Sequence, residues 1–295
     1  SFRHGTCSAP QAIQSVLNQL DDFHPFQDTF FDLNLLPVNR SIVERQSKYV
    51  DDSRLIISSL NRGLPLTGEQ KKKLNEINIA STELHKFVYN DIENYLSKSP
   101  IILCGGEHGS GLGYLTLLAD QINSISILHI DAHMDCRHDY LGFEYSHASA
   151  MTHYEKLSSI HSITQVGIRD FSIEEKNFQL QSNTPFHLFL DYEIHKGFFN
   201  GKSWHDICSE IINSLGDSVF ISLDVDGLVP YLGLNTGTPV PGGISFNQLS
   251  YLFELLYKNK RCIGAELVEV NSNGTDSVDA IFGARLLHLM AGMLF

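Results

Sequence analysis

The chain contains 295 residues, of which 42% are hydrophobic and 19% charged, a composition that supports a large buried core. Its 34 acidic and 21 basic residues give a formal net charge of −13, which argues against nucleic acid or an anionic membrane as a partner. The acidic excess is compatible with a small cationic substrate. No apolar stretch approaches the roughly 18 residues that a membrane-spanning helix requires.

Seven short apolar runs are typical of strands buried in a parallel sheet. They are Thr29–Leu36, Pro100–Cys104, Ile125–Ile130, Ile163–Gly167, Pro185–Leu190, Ser218–Leu223 and Cys262–Val268. Helical patterns lie between them, at Gln70–Ser97, Trp204–Leu215 and Ser245–Tyr257. Ser245 is predicted to cap the third of these helices, and Asp276 or Ser277 to open a last helix that ends near Met293.

Strands that alternate with helices predict an α/β fold of three layers, with helices on both faces of a mostly parallel sheet. The even composition along the chain favours a single domain over residues 1–295. Five scattered cysteines without a C-x-x-C pair indicate a reducing compartment and predict a cytoplasmic protein. In a parallel sheet of this kind, functional groups collect at the carboxyl ends of the strands.

The clearest chemical signal is Asp131-Ala132-His133-Met134-Asp135, which directly follows the predicted strand Ile125–Ile130. In extended chain the first, third and fifth of these residues point to one side and can converge on one site. Asp224-Val225-Asp226 and Gly105-Gly106-Glu107-His108 likewise follow predicted strands. Taken alone, a D-x-D pair is more typical of a loop or a helix cap, and a G-G-x-H run is weaker still.

Together, these motifs contribute four aspartates and two histidines, too many ligands for one tetrahedral zinc ion. Carboxylates combined with imidazoles suit two Mn²⁺ ions, which would lower the pKa of a bound water and supply a nucleophile. Six such groups without a cation would carry a large desolvation cost near the core. The sequence therefore predicts a metal site.

Taken in chain order, three motifs resemble the three signatures of the ureohydrolase family, which comprises arginase, agmatinase and their relatives. They are Gly105–His108, Asp131–Asp135 and Asp224–Asp226. The third signature includes Ser222 and Leu223 ahead of the Asp224–Asp226 pair. The resemblance extends over nearly the whole chain, through Ser1–Thr6, Thr236–Pro239, Pro241–Gly243 and Glu266–Asn271. It implies an arginase-like fold, hydrolysis of a guanidino compound to urea and an amine, and a homo-oligomer, either a trimer or a hexamer.

The resemblance also implies roles for individual residues. His108, Asp131, Asp135 and Asp224 would hold one manganese ion, and Asp131, His133, Asp224 and Asp226 the other, so that Asp131 and Asp224 bridge the pair. Glu269 would bind the substrate guanidinium, since a carboxylate is the natural partner of its paired donors. His147 would transfer a proton to the departing amine.

Several residues bear on the substrate. The Tyr145–Ser149 stretch looks most like agmatinase-type members, and Cys136-Arg137 stand where arginases carry an asparagine that holds the amino-acid head of the substrate. Arg137 is a candidate for binding a substrate carboxylate, with an internal ion pair as the alternative. Agmatine is therefore the first-choice substrate, with guanidinobutyrase, arginase and formimidoylglutamase specificity as alternatives. The loops Gly142–Tyr145 and Asp170–Asn183 are expected to recognise the substrate tail.

Two departures from the family pattern leave other functions open. Val229 replaces the aspartate that usually precedes the proline of the third signature, and the family's first strand is apparently missing at the N-terminus. One alternative is a non-catalytic metal-binding relative that acts as a regulatory or scaffold subunit. Another is a two-metal phosphoesterase, although such enzymes usually carry further histidines late in the chain, where this sequence has Asp224, Asp226 and Glu269.

Overall fold

The computed structural model of the protein describes residues 5–21, 23–27, 33, 36, 40–97, 99–230, 235–272 and 278–294. Six parallel strands form one sheet in the described chain: β1 Ile102–Cys104, β2 Ile125–Ile130, β3 Ile160–Ile168, β4 Phe186–Leu190, β5 Ser218–Asp224 and β6 Arg261–Val268. Their order across the sheet is β1-β6-β5-β2-β3-β4. The strands β1, β6, β5 and β2 are therefore neighbours, and their carboxyl ends meet at one edge.

Helices cover both faces of this sheet. They are α1 Ala9–Val16, α2 Arg40–Ser47, α3 Val50–Asn61, α4 Gly68–Leu96, α5 Leu112–Gln121, α6 Ala150–Tyr154, α7 Ile173–Gln181, α8 Asp191–Phe199, α9 Trp204–Asn213, α10 Phe246–Asn259 and α11 Val278–Leu294. One apolar cluster joins the sheet to α1, α9, α10 and α11, and a second joins it to α4, α5 and α6. The predicted three-layer α/β fold is confirmed.

The strand β2 shows why a continuous apolar run predicted a buried strand. All six of its residues are buried, because both faces of this central strand lie under helices. A continuous apolar run is the expected pattern for such a strand, and its predicted bounds agree with the observed ones. None of the helices in the described ranges is long and apolar enough to cross a membrane.

The ends of the other elements lie within a few residues of their predicted positions. Ser245 caps α10 in a capping box, in which its hydroxyl accepts from Gln248 N–H and the Gln248 side chain accepts from Ser245 N–H. The predicted strand Thr29–Leu36 falls mostly outside the described residues, as do Asp276 and Ser277. The predicted loop Asp170–Asn183 instead contains α7, because Ser172 and Glu175 form another capping box.

Candidate metal centre

The imidazole of His108, in the turn after β1, lies at the centre of the predicted site. Its Nδ1 is 2.8 Å from Asp135 Oδ2, 3.2 Å from Asp131 Oδ2 and 3.6 Å from Asp224 Oδ2. All four side chains are almost fully buried. Residues from three separate segments thus converge on one point at the carboxyl edge of the sheet.

Asp131 faces a second group of ligand atoms with its other oxygen. Its Oδ1 is 3.5 Å from His133 Nδ1, which in turn lies 3.2 Å from Asp226 Oδ2. The Asp226 carboxylate is held in place by the Ala132 N–H, which donates to its Oδ1 over 3.1 Å. The structure therefore brings all six predicted ligands together, with Asp131 placed between the two groups.

Crowding of negative charge dominates the electrostatics of this cluster. Burial and the charges of Asp226 and Asp131 raise the pKa of Asp224 well above its ordinary value, and burial and the Asp131 charge raise that of Asp226. Burial alone would lower the pKa of His133, but hydrogen bonds to Asp131 and Asp226 raise it to about 12. The pocket therefore strongly favours a positive charge at its centre.

The donor atoms fit a metal ion better than a set of internal hydrogen bonds. His108 Nδ1 is buried and forms no hydrogen bond within the described structure, although a carboxylate oxygen lies 2.8 Å away. Two groups offer ligand atoms that all lie within 4.8 Å of one another: His108, His129, Asp131 and Asp135, and Asp131, His133 and Asp226. These residues could hold metal ions, and carboxylate oxygens with imidazole nitrogens suit hard or borderline cations.

A hydrogen-bond chain beneath His108 determines which ring nitrogen faces the cluster. The Ser222 hydroxyl donates to Glu266 Oε1 over 2.7 Å, and the Tyr154 hydroxyl donates to the same oxygen over 2.8 Å. Ser222 Oγ must then accept from His108 Nε2, which is 2.7 Å away. In the neutral ring the lone pair of Nδ1 therefore faces the carboxylates, as a metal ligand requires. Burial alone would lower the pKa of His108, but Asp131, Asp135 and Asp224 raise it well above its ordinary value, so they favour a positive charge at this point.

His129 supports Asp131 in a comparable way. Its Nε2 is 2.8 Å from Asp131 Oδ2, and its Nδ1 lies 2.9 Å from the Gln165 amide nitrogen, which can only donate. His129 therefore donates from Nε2 and holds Asp131 in position. From the sequence, His129 was a candidate for a structural residue or for one that orients a metal ligand, and the structure agrees with the second of these. Its place in β2, two residues before Asp131, puts both side chains on one side of the extended chain.

Glu269 approaches the cluster from the end of β6. Its Oε1 accepts from the His108 N–H over 3.0 Å, and burial raises the pKa of its carboxyl to about 7. Its φ of 60° breaks the alternation of the strand, as does the φ of 54° at Asp135 in its own segment. Glu266, three residues earlier, also approaches His108, with 3.8 Å between its Oε1 and Nε2. Two residues three apart in a regular strand face opposite sides, so alternation alone would place only one of these glutamates in the site, yet both approach His108.

His147 lies beside the cluster in a short 3₁₀ turn before α6. Its Nδ1 is 3.8 Å from Glu107 Oε2. Burial lowers the pKa of His147, but the negative charges of Glu107 and Glu269 outweigh this effect and raise it overall. The protonated imidazole is therefore more favoured here than in a free histidine.

The two arginines near the motifs are both engaged internally. Arg137 Nε is 3.6 Å from Glu175 Oε2, and its guanidinium lies over the Tyr140 ring. The alternative of an internal ion pair is thus what the structure contains, and binding of a substrate carboxylate by Arg137 stays a prediction. Arg169 donates to the carbonyl oxygens of Gly167, Asp226 and Val240, so it stabilises the loops around the site.

Comparison with known proteins identifies the family. The Arginase family model matches residues 1–292. The chain belongs to the arginase family. Its arginase-like fold is shared with arginase from Bacillus subtilis, whose structure aligns with a TM-score of 0.66 at 22% sequence identity, covering 100% of this chain and 94% of that one.

Two curated members of the arginase family are similar in sequence. An N(1)-aminopropylagmatine ureohydrolase from Thermus thermophilus is 32% identical over 193 residues, which is 65% of this chain and 62% of that protein. An agmatinase from Pyrococcus horikoshii is 29% identical over 194 residues, which is 66% of this chain and 62% of that protein. The chain thus matches 62% of the length of each of these two relatives.

Proposed function

We propose that this chain is a metal-dependent hydrolase that cleaves a guanidino compound to urea and an amine. The observation that carries this proposal is the buried Glu269 carboxylate beside the six side chains that are predicted to bind metal. A guanidinium presents planar, paired N–H donors that match a carboxylate. A cluster that favours positive charge, next to one further carboxylate, suits a cationic substrate at a metal centre.

Two Mn²⁺ ions are the proposed cofactors. His108, Asp131, Asp135 and Asp224 would hold one, and Asp131, His133, Asp224 and Asp226 the other. When bound, such ions lower the pKa of a water ligand and supply the nucleophile for hydrolysis. The Ser222–Glu266 chain keeps His108 in the tautomer that a metal ligand needs, and His129 keeps Asp131 oriented.

The remaining residues act on the substrate. Glu269 binds the guanidinium and orients its carbon toward the metal cluster. His147 in its protonated form donates a proton to the amine nitrogen that leaves, while Glu107 keeps the imidazole charged. Agmatine is the proposed first-choice substrate, and the names of the relatives from Thermus and Pyrococcus support an agmatine-like compound. Guanidinobutyrate, arginine and formiminoglutamate are the alternatives.

The proposal is tested by urea release from the manganese-loaded protein. The panel contains agmatine, N(1)-aminopropylagmatine, guanidinobutyrate, arginine and guanidine, with formiminoglutamate assayed by formamide release. We expect at least one guanidino compound to release urea. Phosphate release from an aryl phosphate without urea would support the phosphoesterase instead. Metal uptake without turnover of any compound would support a non-catalytic metal-binding protein.

The pH dependence of kcat tests whether His147 is the proton donor. Because the acid form of His147 donates the proton, activity is expected to fall as pH rises through its raised pKa. Glu107→Gln removes a negative charge and lowers that pKa, so the alkaline limb of the kcat profile should move to lower pH. Profiles measured at saturating metal and substrate check this shift. Glu144→Gln, an exposed change, is the control, and an unmoved limb in Glu107→Gln would contradict the role of His147.

A further inference from the structure

One face of the long helix α4 contacts a tight turn near the proposed site. Leu74, Asn78, Thr82 and His85 occur at spacings of four, four and three residues, so they lie along one side of the helix. Each of them contacts the segment 139–145, which precedes His147 by a few residues. Neither the family motifs nor the proposed mechanism assigns a role to this helix.

The turn itself has an unfavourable backbone conformation. Tyr140 and Phe143 exchange two backbone hydrogen bonds of 3.1 Å, so Leu141 and Gly142 form a two-residue hairpin loop. Both central residues have positive φ, 56° at Leu141 and 83° at Gly142. Glycine adopts this region without cost, but leucine does not, because its Cβ is crowded there. Within the segment, Asp139 Oδ1 accepts from Gly142 N–H over 2.7 Å and partly offsets this cost, so contacts from outside the turn add to its stability.

Asn78 supplies such contacts with both ends of one amide. Its Nδ2 donates to Gly142 O over 3.0 Å, and its Oδ1 accepts from Glu144 N–H over 3.2 Å. This pairing resembles the one that a neighbouring strand would provide. Leu74 packs against Gly142 so closely that a Cβ at that glycine would lie 2.7 Å from Leu74 Cδ2. The helix surface is thus shaped to the turn.

The 139–145 turn also contacts His147, the proposed proton donor. The Tyr140 ring packs edge-on against His147, with 5.5 Å between the ring centroids. At the other end of the segment, the Tyr145 ring lies 4.8 Å from the buried His85 ring, and the Thr82 hydroxyl is 3.3 Å from the Tyr145 hydroxyl. The contacts form a continuous path from α4 through the turn to the imidazole of His147.

We propose that Asn78 is a positioning residue for the reaction, which acts by holding the 139–145 turn so that Tyr140 keeps His147 in place. This inference rests on the proposed function for the part that concerns catalysis. The holding of the turn by Asn78 does not depend on that function and can be measured without substrate.

The test compares Asn78→Ala with Asn90→Ala, an exposed asparagine on the same helix, both in the manganese-loaded full chain. Hydrogen–deuterium exchange of residues 139–146 is expected to rise in Asn78→Ala and to match the wild type in Asn90→Ala. In urea release, kcat should fall roughly ten- to a hundredfold in Asn78→Ala, as expected when a catalytic group is displaced by about 1 Å. Metal content should not change.

A second variant separates positioning from general destabilisation. Leu141→Gly removes the conformational strain of the turn, so Asn78→Ala/Leu141→Gly should recover most of the lost kcat. A role of Asn78 in overall stability alone would instead lower the Tm of Asn78→Ala and leave the kcat of the folded protein at the wild-type value. Unchanged exchange of residues 139–146 in Asn78→Ala would overturn the proposal, as would raised exchange with wild-type kcat. If the wild-type protein released no urea, the proposed function would fail, and the exchange data would still decide whether Asn78 holds the turn.

Discussion

Asp224→Asn is expected to lower urea release by about 10³-fold or more, the largest single effect we predict. The loss should be at least that of removing one donor that stabilises the transition state, because Asp224 would serve both metal ions in the proposed site. The amide keeps an oxygen that can accept from Asp226 N–H, as Asp224 Oδ1 does now over 2.9 Å. Metal content per chain, measured by mass spectrometry, should fall with the activity.

The same substitution should have the opposite effect on the metal-free protein. The pKa of Asp224 is raised above its ordinary value, so its ionised form costs folding stability at neutral pH. A neutral amide removes that cost, and the Tm of the metal-free variant should exceed that of the metal-free wild type. Asp217→Asn, at the exposed opposite end of the same strand region, is the matched control for both measurements. Wild-type activity and metal content in Asp224→Asn would show that the assigned site is wrong.

Glu269→Gln is expected to lower kcat/KM roughly 10²-fold or more while leaving metal content unchanged. Removing one member of a buried charge pair typically costs about 2–5 kcal/mol, and the proposed partner of Glu269 is the substrate guanidinium. The variant retains an oxygen that can accept from His108 N–H, so the local structure should persist. Steady-state kinetics on the best substrate, together with metal analysis, would measure the effect.

Glu266→Gln provides the contrast on the same strand. Glu266 is wholly buried and accepts from Ser222 and Tyr154 beneath His108, so this variant should weaken metal affinity by about 10- to 100-fold. At saturating metal, Glu266→Gln should lose less kcat/KM, relative to the wild type, than Glu269→Gln does. If both variants showed the same loss of metal affinity and the same loss of kcat/KM, the separate roles assigned to the two glutamates would be refuted.

The convergence of the six ligand side chains was predictable because it depends on a property of parallel sheets. Chain segments that follow β1, β2 and β5 leave the sheet at the same edge, so polar residues at those positions must meet there. The apolar runs that identify the strands are long and continuous, since the central strands are buried on both faces. No tertiary information was needed to expect a cation site at that edge.

The supporting residues could not be predicted in the same way. Gln165, Tyr154 and Glu266 reach the site from β3, α6 and β6. Gln165 contacts His129, Tyr154 contacts Glu266, and Glu266 approaches His108, and the partners in each pair are distant in sequence. Nothing in the local pattern of a buried glutamine or tyrosine indicates which buried histidine or carboxylate it will meet. Their roles follow only from the packing of the layers.

The sequence by itself determined the fold class, the positions of the strands from Pro100 onward and which six polar side chains would meet at the carboxyl edge of the sheet, because these depend on hydrophobic periodicity and on residues adjacent in the chain. The tertiary structure alone decided which ring nitrogen of His108 faces the carboxylates, that Arg137 pairs with Glu175, and that Asn78 on α4 holds the turn before His147. Each of these depends on hydrogen bonds or an ion pair between groups that are far apart in the chain. Such contacts are set by how whole helices and strands pack, and no local sequence pattern encodes them.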